Sequence, residues 1–336
     1  MQPITSTNIE KVLASLEGHA GAEPMALEIE RVERHAGALL STALLGSLGE
    51  QPLEIRMAAA GDVTDGLASA GLAFALANRR GPTKVDGMRS PESLSPWRRT
   101  WTPGTRANWI ALFPDEDASN QLFGPEAIGE TDWEPDLFGP TFAAFVNPHR
   151  TGRVASRRHP LKRVFWPWID RLMPRSLAQD RAKRREFVRD VGTLIDELIA
   201  NISEHAAGSG PDVHSLVHAA VTRGQEADRL HLAFADTGAG IIRTLLPKLG
   251  ISPAPEETYE EVLAAAFAGT LPGWGVGRGL GLPAVLDVAT RGSAVLRVAT
   301  GRCRLEADQH GLRSVAVEFD LRGTVVVVSL TLPRVA

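Results

Sequence analysis

The stretch ELIANISEH, residues 197–205, spaces its polar side chains so that a helix gathers them on one face. At 100° per residue they fall within roughly one quarter of the circumference, and the opposite arc is apolar. These polar residues are Glu197, Asn201, Glu204 and His205. No Lys or Arg occurs from residue 191 to residue 209, although exposed helices usually mix bases with their acids. The pattern predicts a helix packed on a sheet, with its polar face directed at a site for a hard cation that binds oxygen ligands. For this helix alone, a solvated polar face is the alternative.

Two glycine motifs follow along the chain. Residues 229–235, RLHLAFA, predict a strand that ends at the motif DTGAG, residues 236–240. Further on, GWGVGRGLGL at 273–282 precedes a helix predicted over 283–290. A last strand is predicted over 325–332, directly after a Gly-Thr pair.

Together these segments resemble the GHKL superfamily, whose Bergerat fold binds ATP in gyrase, mismatch-repair ATPases, heat-shock chaperones, sensor histidine kinases and anti-sigma serine kinases. The motifs Glu-x3-Asn-x3-His, Asp-x-Gly-x-Gly and Gly-x-Gly-Leu-Gly-Leu occur in the family's order, and the Gly-Thr pair fits as a fourth element. The resemblance covers residues 181–336. It implies a Bergerat α/β sandwich, a mixed sheet covered by helices, with ATP and Mg²⁺ as cofactors.

In that site, the first motif would lie around the phosphates. Mg²⁺ prefers octahedral oxygen ligands and keeps most of its waters, so the amide oxygen of Asn201 would suffice as the protein ligand. The resemblance gives Glu197 the role of the general base that deprotonates water, or a protein hydroxyl in a kinase. Glu204 and His205, a turn later, would contact phosphate, a metal-bound water or the lid.

The second and fourth motifs would bind the base. Asp236 would accept the exocyclic amine of adenine and disfavour guanine, with Thr324 completing the contact through water. We expect positive φ at Gly238 and Gly240, which would let the base approach the backbone. A simple Asp-Gly turn is the alternative for Asp236, but it leaves Thr324 unexplained.

The third motif would bring bare backbone amides to the start of a helix, a site for the α- and β-phosphates. Its nucleotide-binding residues would be Gly277, Arg278, Gly279, Leu280 and Gly281, with Arg278 adding positive charge. Residues 241–271 would form the lid over the nucleotide, with one helix over 256–267.

Length and composition indicate a soluble globular protein of two domains. The chain has 336 residues, 43% of them hydrophobic, and its net charge of −4 predicts no general affinity for nucleic acid. Cys303, the single cysteine, is expected to be buried in a strand. We expect a cytoplasmic protein with no membrane partner, because no signal peptide is evident and no window reaches about 18 apolar residues.

Residues 1–149 predict a separate, smaller α/β domain, faintly similar to the STAS domains that partner anti-sigma kinases. The phosphorylatable serine of such domains could only be Ser69, which a plain helix position explains as well. The predicted elements are helices over 25–48 and 66–78 and strands over 52–58, 109–113 and 142–146.

Residues 150–180 predict a basic linker, and the excess of Arg and Lys continues to residue 189. Interleaved aromatic residues keep nucleic acid open as the minority hypothesis for a partner. The preferred reading is a solvated strap bound to an acidic face. Pro160, Pro167 and Pro174 should break any long amphipathic helix, which argues against a membrane anchor.

The predicted function is a regulatory switch that binds Mg-ATP and hydrolyses it or transfers a phosphoryl group to a partner protein. His159 lacks the neighbours of a sensor-kinase acceptor, and the chain leaves no room for a gyrase-type transducer domain, so we expect neither of those branches. An adaptor that senses ATP without turnover and an ATP-dependent protein that associates with nucleic acid are the alternatives. The presence of Glu197 at the position of the general base favours catalysis over binding alone. A homodimer is left open.

Overall fold

The described residues form a mixed α/β architecture with two sheets, which confirms the predicted α/β class. The computed structural model describes residues 2–4, 8–17, 25–32, 34–48, 50–57, 75, 83–86, 109–112, 141–146, 160–173, 180–202, 204, 213, 215–222, 225, 227–251, 257–272, 281–291 and 294–332.

The first sheet consists of four parallel strands from the start of the chain. In sheet order they are β1 (Gln2–Ile4), β2 (Met25–Val32), β3 (Leu53–Met57) and β4 (Thr83–Asp86). Helix α1 (Ile9–Glu17) joins β1 to β2, and α2 (Arg34–Leu45) joins β2 to β3. Helical crossovers of this kind are the usual connection between parallel neighbours.

The single helix predicted over residues 25–48 is wrong, because the segment forms β2 and then α2. In β2, Leu27 and Ile29 alternate with glutamates, which is the period of two that a strand requires. Leu27 is buried, and the strand pairs with β3 on one side and β1 on the other. Over the eight residues of β2, the apolar side chains also fit a helical period. Periodicity therefore did not distinguish a strand from a helix in this segment.

The strand predicted over 52–58 is confirmed as β3. The helix predicted over 66–78, with Ser69, lies outside the described residues except for Ala75, which is helical and buried. Cys303 is buried in a strand, as predicted.

The second sheet has six strands in the order β5-β6-β7-β8-β10-β9. They are β5 (Trp109–Leu112), β6 (Thr141–Val146), β7 (Ser215–Thr222), β8 (Asp228–Asp236), β9 (Val295–Asp308) and β10 (Gly311–Leu332). The pair β5 and β6 is parallel, and every other neighbouring pair is antiparallel. The strands predicted over 229–235 and 325–332 are confirmed as β8 and as part of β10.

The boundary predicted at residue 149 does not separate the two sheets. Strands form over 109–112 and 141–146, as the sequence predicts, but they belong to the second sheet. The pairing of β6 with β7 runs from Thr141 opposite Ala220 to Phe145 opposite Leu216. The second sheet therefore takes strands from both sides of that boundary.

Alternate residues of the central strands enter two cores on opposite faces of the second sheet. In β10, Val326 and Val328 belong to one core, whereas Val325 and Val327 belong to the other. The first core is covered by α3 (Pro160–Leu172), α4 (Arg181–Asn201), α5 (Ile241–Lys248), α6 (Glu257–Ala268) and α7 (Gly281–Arg291). The second core contains α1 and α2 together with residues of β2 and β3, so these two helices pack between the sheets.

Part of the predicted basic linker is the core helix α3, so the expectation of a break is wrong at Pro167. Pro160 is the first helical residue, where its missing N–H costs nothing, and the helix continues through the exposed Pro167. Phe165 and Trp168 are buried, with ring centroids 5.5 Å apart. Burial of these side chains outweighs the hydrogen bond that Pro167 cannot donate.

The exposed bases at the start of α4 have acidic neighbours. The ion pairs join Lys183 to Asp180 at 3.6 Å, Arg184 to Asp170 at 3.0 Å and Arg189 to Glu186 at 3.6 Å. Such mixed charge is typical of a solvated helix, and a nucleic-acid partner stays a prediction. None of the helices in the described part of the chain is long and apolar enough to cross a lipid bilayer.

Replacing Trp168 by alanine tests whether α3 is part of the core. Trp168→Ala should lower the free energy of unfolding by about 3 to 5 kcal/mol, because it removes a fully buried indole. Val188→Ala, on the exposed side of α4, is the control and should change it by less than about 0.5 kcal/mol. Chemical denaturation measures both, and equal stability of the two variants would show that residues 160–172 are a strap on the surface.

Candidate functional site

The polar face predicted over residues 197–205 lies at the end of α4. This helix begins after Asp180, whose carboxylate accepts the N–H groups of Ala182 and Lys183. Its buried residues are Val191, Leu194, Ile195, Leu198 and Ile199. Glu197 and Asn201 are partly exposed on the other side, so the predicted division into an apolar and a polar arc is confirmed for the described residues.

Glu197 contacts the first residue of α7. A Cβ added to Gly281 would lie 2.5 Å from Oε2 of Glu197 and 3.6 Å from its Cβ. A side chain at position 281 would meet the carboxylate end of Glu197, which would have to rotate away, whereas the Cβ of Glu197 would be at ordinary contact distance. The contact brings together the first and third sequence motifs, which are far apart in the chain.

Two carboxylates, Asp196 and Glu204, lie near Glu197, and Asp196 is ion-paired with Lys162 of α3. Partial burial raises the pKa of the Glu197 carboxyl, and the neighbouring carboxylates of Asp196 and Glu204 raise it further. Glu204 is exposed one turn beyond the end of α4, where Ile202 and Glu204 form a wider, π-type turn. A cation bound near these carboxylates would relieve the repulsion between them.

Asn201 has a buried polar atom that needs a partner. Its side-chain nitrogen is buried and makes no hydrogen bond to the described part of the chain. Leaving such a group unpaired costs about 1 to 3 kcal/mol, so a ligand that contacts the amide would remove a penalty. Rotation of the amide by half a turn would present its oxygen at the same place.

This donor set fits Mg²⁺. An amide oxygen beside carboxylates offers hard ligands, and Mg²⁺ takes few protein ligands because it keeps waters and phosphate oxygens. Within the described residues, no group of three or more His, Cys, Asp or Glu side chains could hold a metal ion. The fit therefore depends on a metal that arrives with a phosphate ligand.

Asp236 is a buried carboxyl at the end of β8. It is 8% exposed, and its Oδ1 accepts the N–H of Gly238 at 2.8 Å. Burial raises the pKa of Asp236 to about 7, although the hydrogen bond from Gly238 lowers it. At neutral pH the group is therefore close to the point where it gains or loses its proton.

Thr324 lies directly opposite Asp236 on the neighbouring strand β10. On its other side it is opposite Thr300 of β9, and the two hydroxyl oxygens are 3.5 Å apart. The Thr300 hydroxyl donates to the carbonyl oxygen of Gly323 at 2.9 Å and accepts the N–H of Ile241 at 2.9 Å. Sequence reasoning missed Thr300, because only the register between β9 and β10 places it beside Thr324.

Two glycines permit the backbones to approach at this end of the sheet. Gly240 has φ +83, and a Cβ there would lie 2.6 Å from both the carbonyl oxygen of Gly323 and the hydroxyl of Thr300. Gly323 has φ +112, and a Cβ there would overlap the carbonyl oxygen of Asp236. The positive φ predicted at Gly240 is confirmed, whereas Gly238 does not adopt one. Gly238 instead donates its N–H to the carboxylate.

The structure thus forms two groups from the predicted site residues. One contains Glu197, Asn201, Glu204 and Gly281, and the other contains Asp236, Gly238, Gly240 and Thr324. The remaining predicted residues, His205, Gly277, Arg278, Gly279 and Leu280, lie outside the described residues.

The predicted lid differs from the structure in its helices. The helix predicted over 256–267 is confirmed as α6, and a second helix, α5, forms over Ile241–Lys248. Leu245, Leu263 and Phe267 are buried in the first core. Both helices therefore contribute to the first core, and the role of residues 241–271 as a lid stays a prediction.

No model of a known protein family matches this chain, and no curated protein sequence matches it either.

Replacing Asp236 by asparagine should remove a pH dependence of stability. In the unfolded chain the carboxyl loses its proton near 3.8, whereas the folded protein keeps it up to about pH 7. Between these values the folded state holds the extra proton, so its stability relative to Asp236→Asn should fall by about 1.4 kcal/mol per pH unit as pH rises. Above pH 7 the difference should become constant.

Chemical denaturation of both proteins between about pH 5 and pH 8 measures this difference. Asp287→Asn, at an exposed carboxylate of α7, is the control and should follow the wild type. Parallel pH profiles for the wild type and Asp236→Asn would show that this carboxyl is not desolvated.

Proposed function

We propose that the protein binds Mg-ATP and uses it as a regulatory switch, either hydrolysing it or transferring its terminal phosphoryl group to a partner protein. The observation that carries the proposal is the contact of Glu197 with Gly281. It joins a helix that offers a carboxylate and an amide to the N-terminus of a helix preceded by a glycine-rich segment. This is the arrangement that a triphosphate with its metal requires.

The fold proposed for residues 181–336 is the Bergerat sandwich of the GHKL superfamily. A mixed sheet covered on one face by α3 to α7 supports this proposal, as does the order of the four motifs. The structure adds β5, β6 and α3 to that sandwich from residues before 181. A STAS-like identity for the first sheet and its helices stays a separate proposal.

Adenine is the base that the second group of residues fits. One oxygen of Asp236 is already used by Gly238, and the other is available to accept from an exocyclic amine. Guanine would present a carbonyl oxygen to the same carboxylate and would be repelled. The proposed amine contact favours the ionised carboxyl, so adenine binding should strengthen as pH rises through about 7.

At the phosphate end, we assign different roles to two residues of α4. Asn201 would hold the metal through its amide oxygen. Glu197, one turn earlier at 1.5 Å rise per residue, lies about 6 Å away along the axis and would take the proton from water or a partner's hydroxyl. The raised pKa of Glu197 makes its carboxylate a better proton acceptor. The backbone N–H of Gly281 and the guanidinium group of Arg278 would contact the phosphates.

Protein partners follow from this function, since a switch needs a target. A cytoplasmic location, a homodimer and a nucleic-acid partner remain proposals of lower rank.

Calorimetry on the full chain tests base and metal recognition. The wild type should bind ATP more tightly than GTP, and Asp236→Asn should weaken ATP binding and reduce this preference. Asn201→Ala should lower the magnesium-dependent part of ATP binding by about 1 to 3 kcal/mol. Its binding of adenosine, which has no phosphates, should stay at the wild-type level.

Two results would count against this assignment. Equal affinity of the wild type for ATP and GTP would refute the adenine site. Unchanged magnesium dependence in Asn201→Ala would remove Asn201 from the metal site.

Glu197→Gln separates an enzyme from a sensor. Nucleotide affinity should stay within about 1 kcal/mol of the wild type or improve slightly, because one negative charge near the phosphates is lost. Turnover of γ-labelled ATP should fall by the roughly 10²- to 10⁴-fold that a positioned general base contributes. Glu186→Gln removes a charge from an exposed part of the same helix and is the control.

The destination of the label distinguishes the proposed activities. Label in free phosphate indicates hydrolysis, and label on protein indicates phosphoryl transfer. If the wild type binds ATP but releases no label, the adaptor that senses ATP without turnover replaces the enzyme.

A further inference from the structure

The end of α2 is bonded to the part of β10 that precedes Thr324. The hydroxyl of Ser47 donates to the carbonyl oxygen of Asp320 at 3.0 Å and accepts the N–H of Arg322 at 2.8 Å. A Cβ on the neighbouring Gly46 would lie 3.1 Å from the carbonyl oxygen of Arg322. Ser47 thus joins a helix of the first sheet's unit to the second sheet at close range.

Ser47 supplies hydrogen bonds where the strand ladder is interrupted. The register between β10 and β9 shifts between Ala316 and Leu321 and again between Leu321 and Thr324. At such irregularities backbone groups lose ladder partners and need others. One hydroxyl satisfies the carbonyl of Asp320 and the N–H of Arg322.

The same segment is held from two more sides. The side chain of Asp320 accepts from Arg243 of α5 at 2.5 Å. The carbonyl oxygen of Gly323 accepts from Thr300, which also binds the start of α5. Residues 320–323 therefore connect α2, α5 and β9, and the next residue, Thr324, is paired with Asp236.

We propose that Ser47 is a positioning residue for the base-binding pair Asp236 and Thr324, so that the unit containing the first sheet controls affinity for adenine. This inference rests on the proposed function for the identity of the ligand. A movement of α2 relative to the second sheet would pull on the backbone of Asp320 and Arg322. Because Gly323 is in contact with the backbone of Asp236, that displacement reaches the base site within two residues.

The test compares two hydroxyl deletions in and after α2. Ser47→Ala removes the link to β10. Thr42→Val is the matched control, since the buried Thr42 hydroxyl donates to the carbonyl oxygen of Ala38 in its own helix, at 2.9 Å. Each variant loses a hydroxyl from the unit that contains the first sheet. Of these two hydroxyls, it is that of Ser47 that bonds to residues 320–323.

Calorimetry on the full-length proteins should show that Ser47→Ala lowers the affinities for adenosine and for ATP by the same factor, about three- to tenfold. The affinity of this variant for inorganic triphosphate with magnesium should equal that of the wild type, because the residues at the phosphate end are not displaced. Thr42→Val should keep wild-type affinity for all three ligands even where its thermal stability falls. Unchanged adenosine affinity in Ser47→Ala, or an equal loss in both variants, overturns the proposal.

Amide hydrogen exchange without nucleotide gives a second readout that does not depend on ATP binding. In Ser47→Ala, exchange should become faster at Arg322 and also at Thr324 and Gly238, with no such change in Thr42→Val. Faster exchange confined to Arg322 would show a purely local bond and overturn the proposal. If the wild type bound no adenosine, the proposed function would fail, and this exchange pattern would still decide whether α2 positions the pair.

Discussion

The close approach of two backbones at Gly323 is the constraint on which the candidate site depends. Any side chain at this position would overlap the carbonyl oxygen of Asp236, so glycine is required for β10 to run beside the end of β8. This approach places Thr324 opposite Asp236 and brings Thr300 within reach of Gly323. Thr300 in turn holds the first N–H of α5, whose preceding residue is the positive-φ Gly240. The absence of a side chain at Gly323 therefore permits the positions of β10, of the turn at Gly240 and of the start of α5.

Charge is distributed unevenly between the two groups of site residues. The pKa of Glu197 is raised by burial and by two neighbouring carboxylates. The pKa of Asp236 is raised by burial, without a contribution from a neighbouring carboxylate. The first environment favours a cation, and the second favours a hydrogen-bond donor of modest charge. A ligand with a metal at one end and an aromatic amine at the other would satisfy both. The side-chain nitrogen of Asn201, which has no hydrogen-bond partner among the described residues, adds a third contact. The chemistry of the two groups is what supports the proposed nucleotide.

Local patterns were sufficient for part of this structure. The apolar arc of α4 and the strand β8 follow from the spacing of apolar residues within short windows. The partner of β6 could not be predicted in this way, because pairing with β7 depends on residues far away in the chain. Pro167 predicted a break, whereas α3 continues through it. In this helix tertiary packing overrides propensity, which a single sequence does not display. The roles of the site residues stay predictions.

The sharing of β10 between two cores has a consequence for synthesis on the ribosome. Leu13 of α1 and Leu40 of α2 are fully buried in a core that also requires Val325 and Val327. Chains are made from the N-terminus, so these helices emerge long before the strand that covers them. During that interval their apolar surfaces face solvent or other nascent chains, and contacts between such distant segments form slowly. The yield of folded protein therefore depends on how well the cell shields the first helices until translation reaches the last strand.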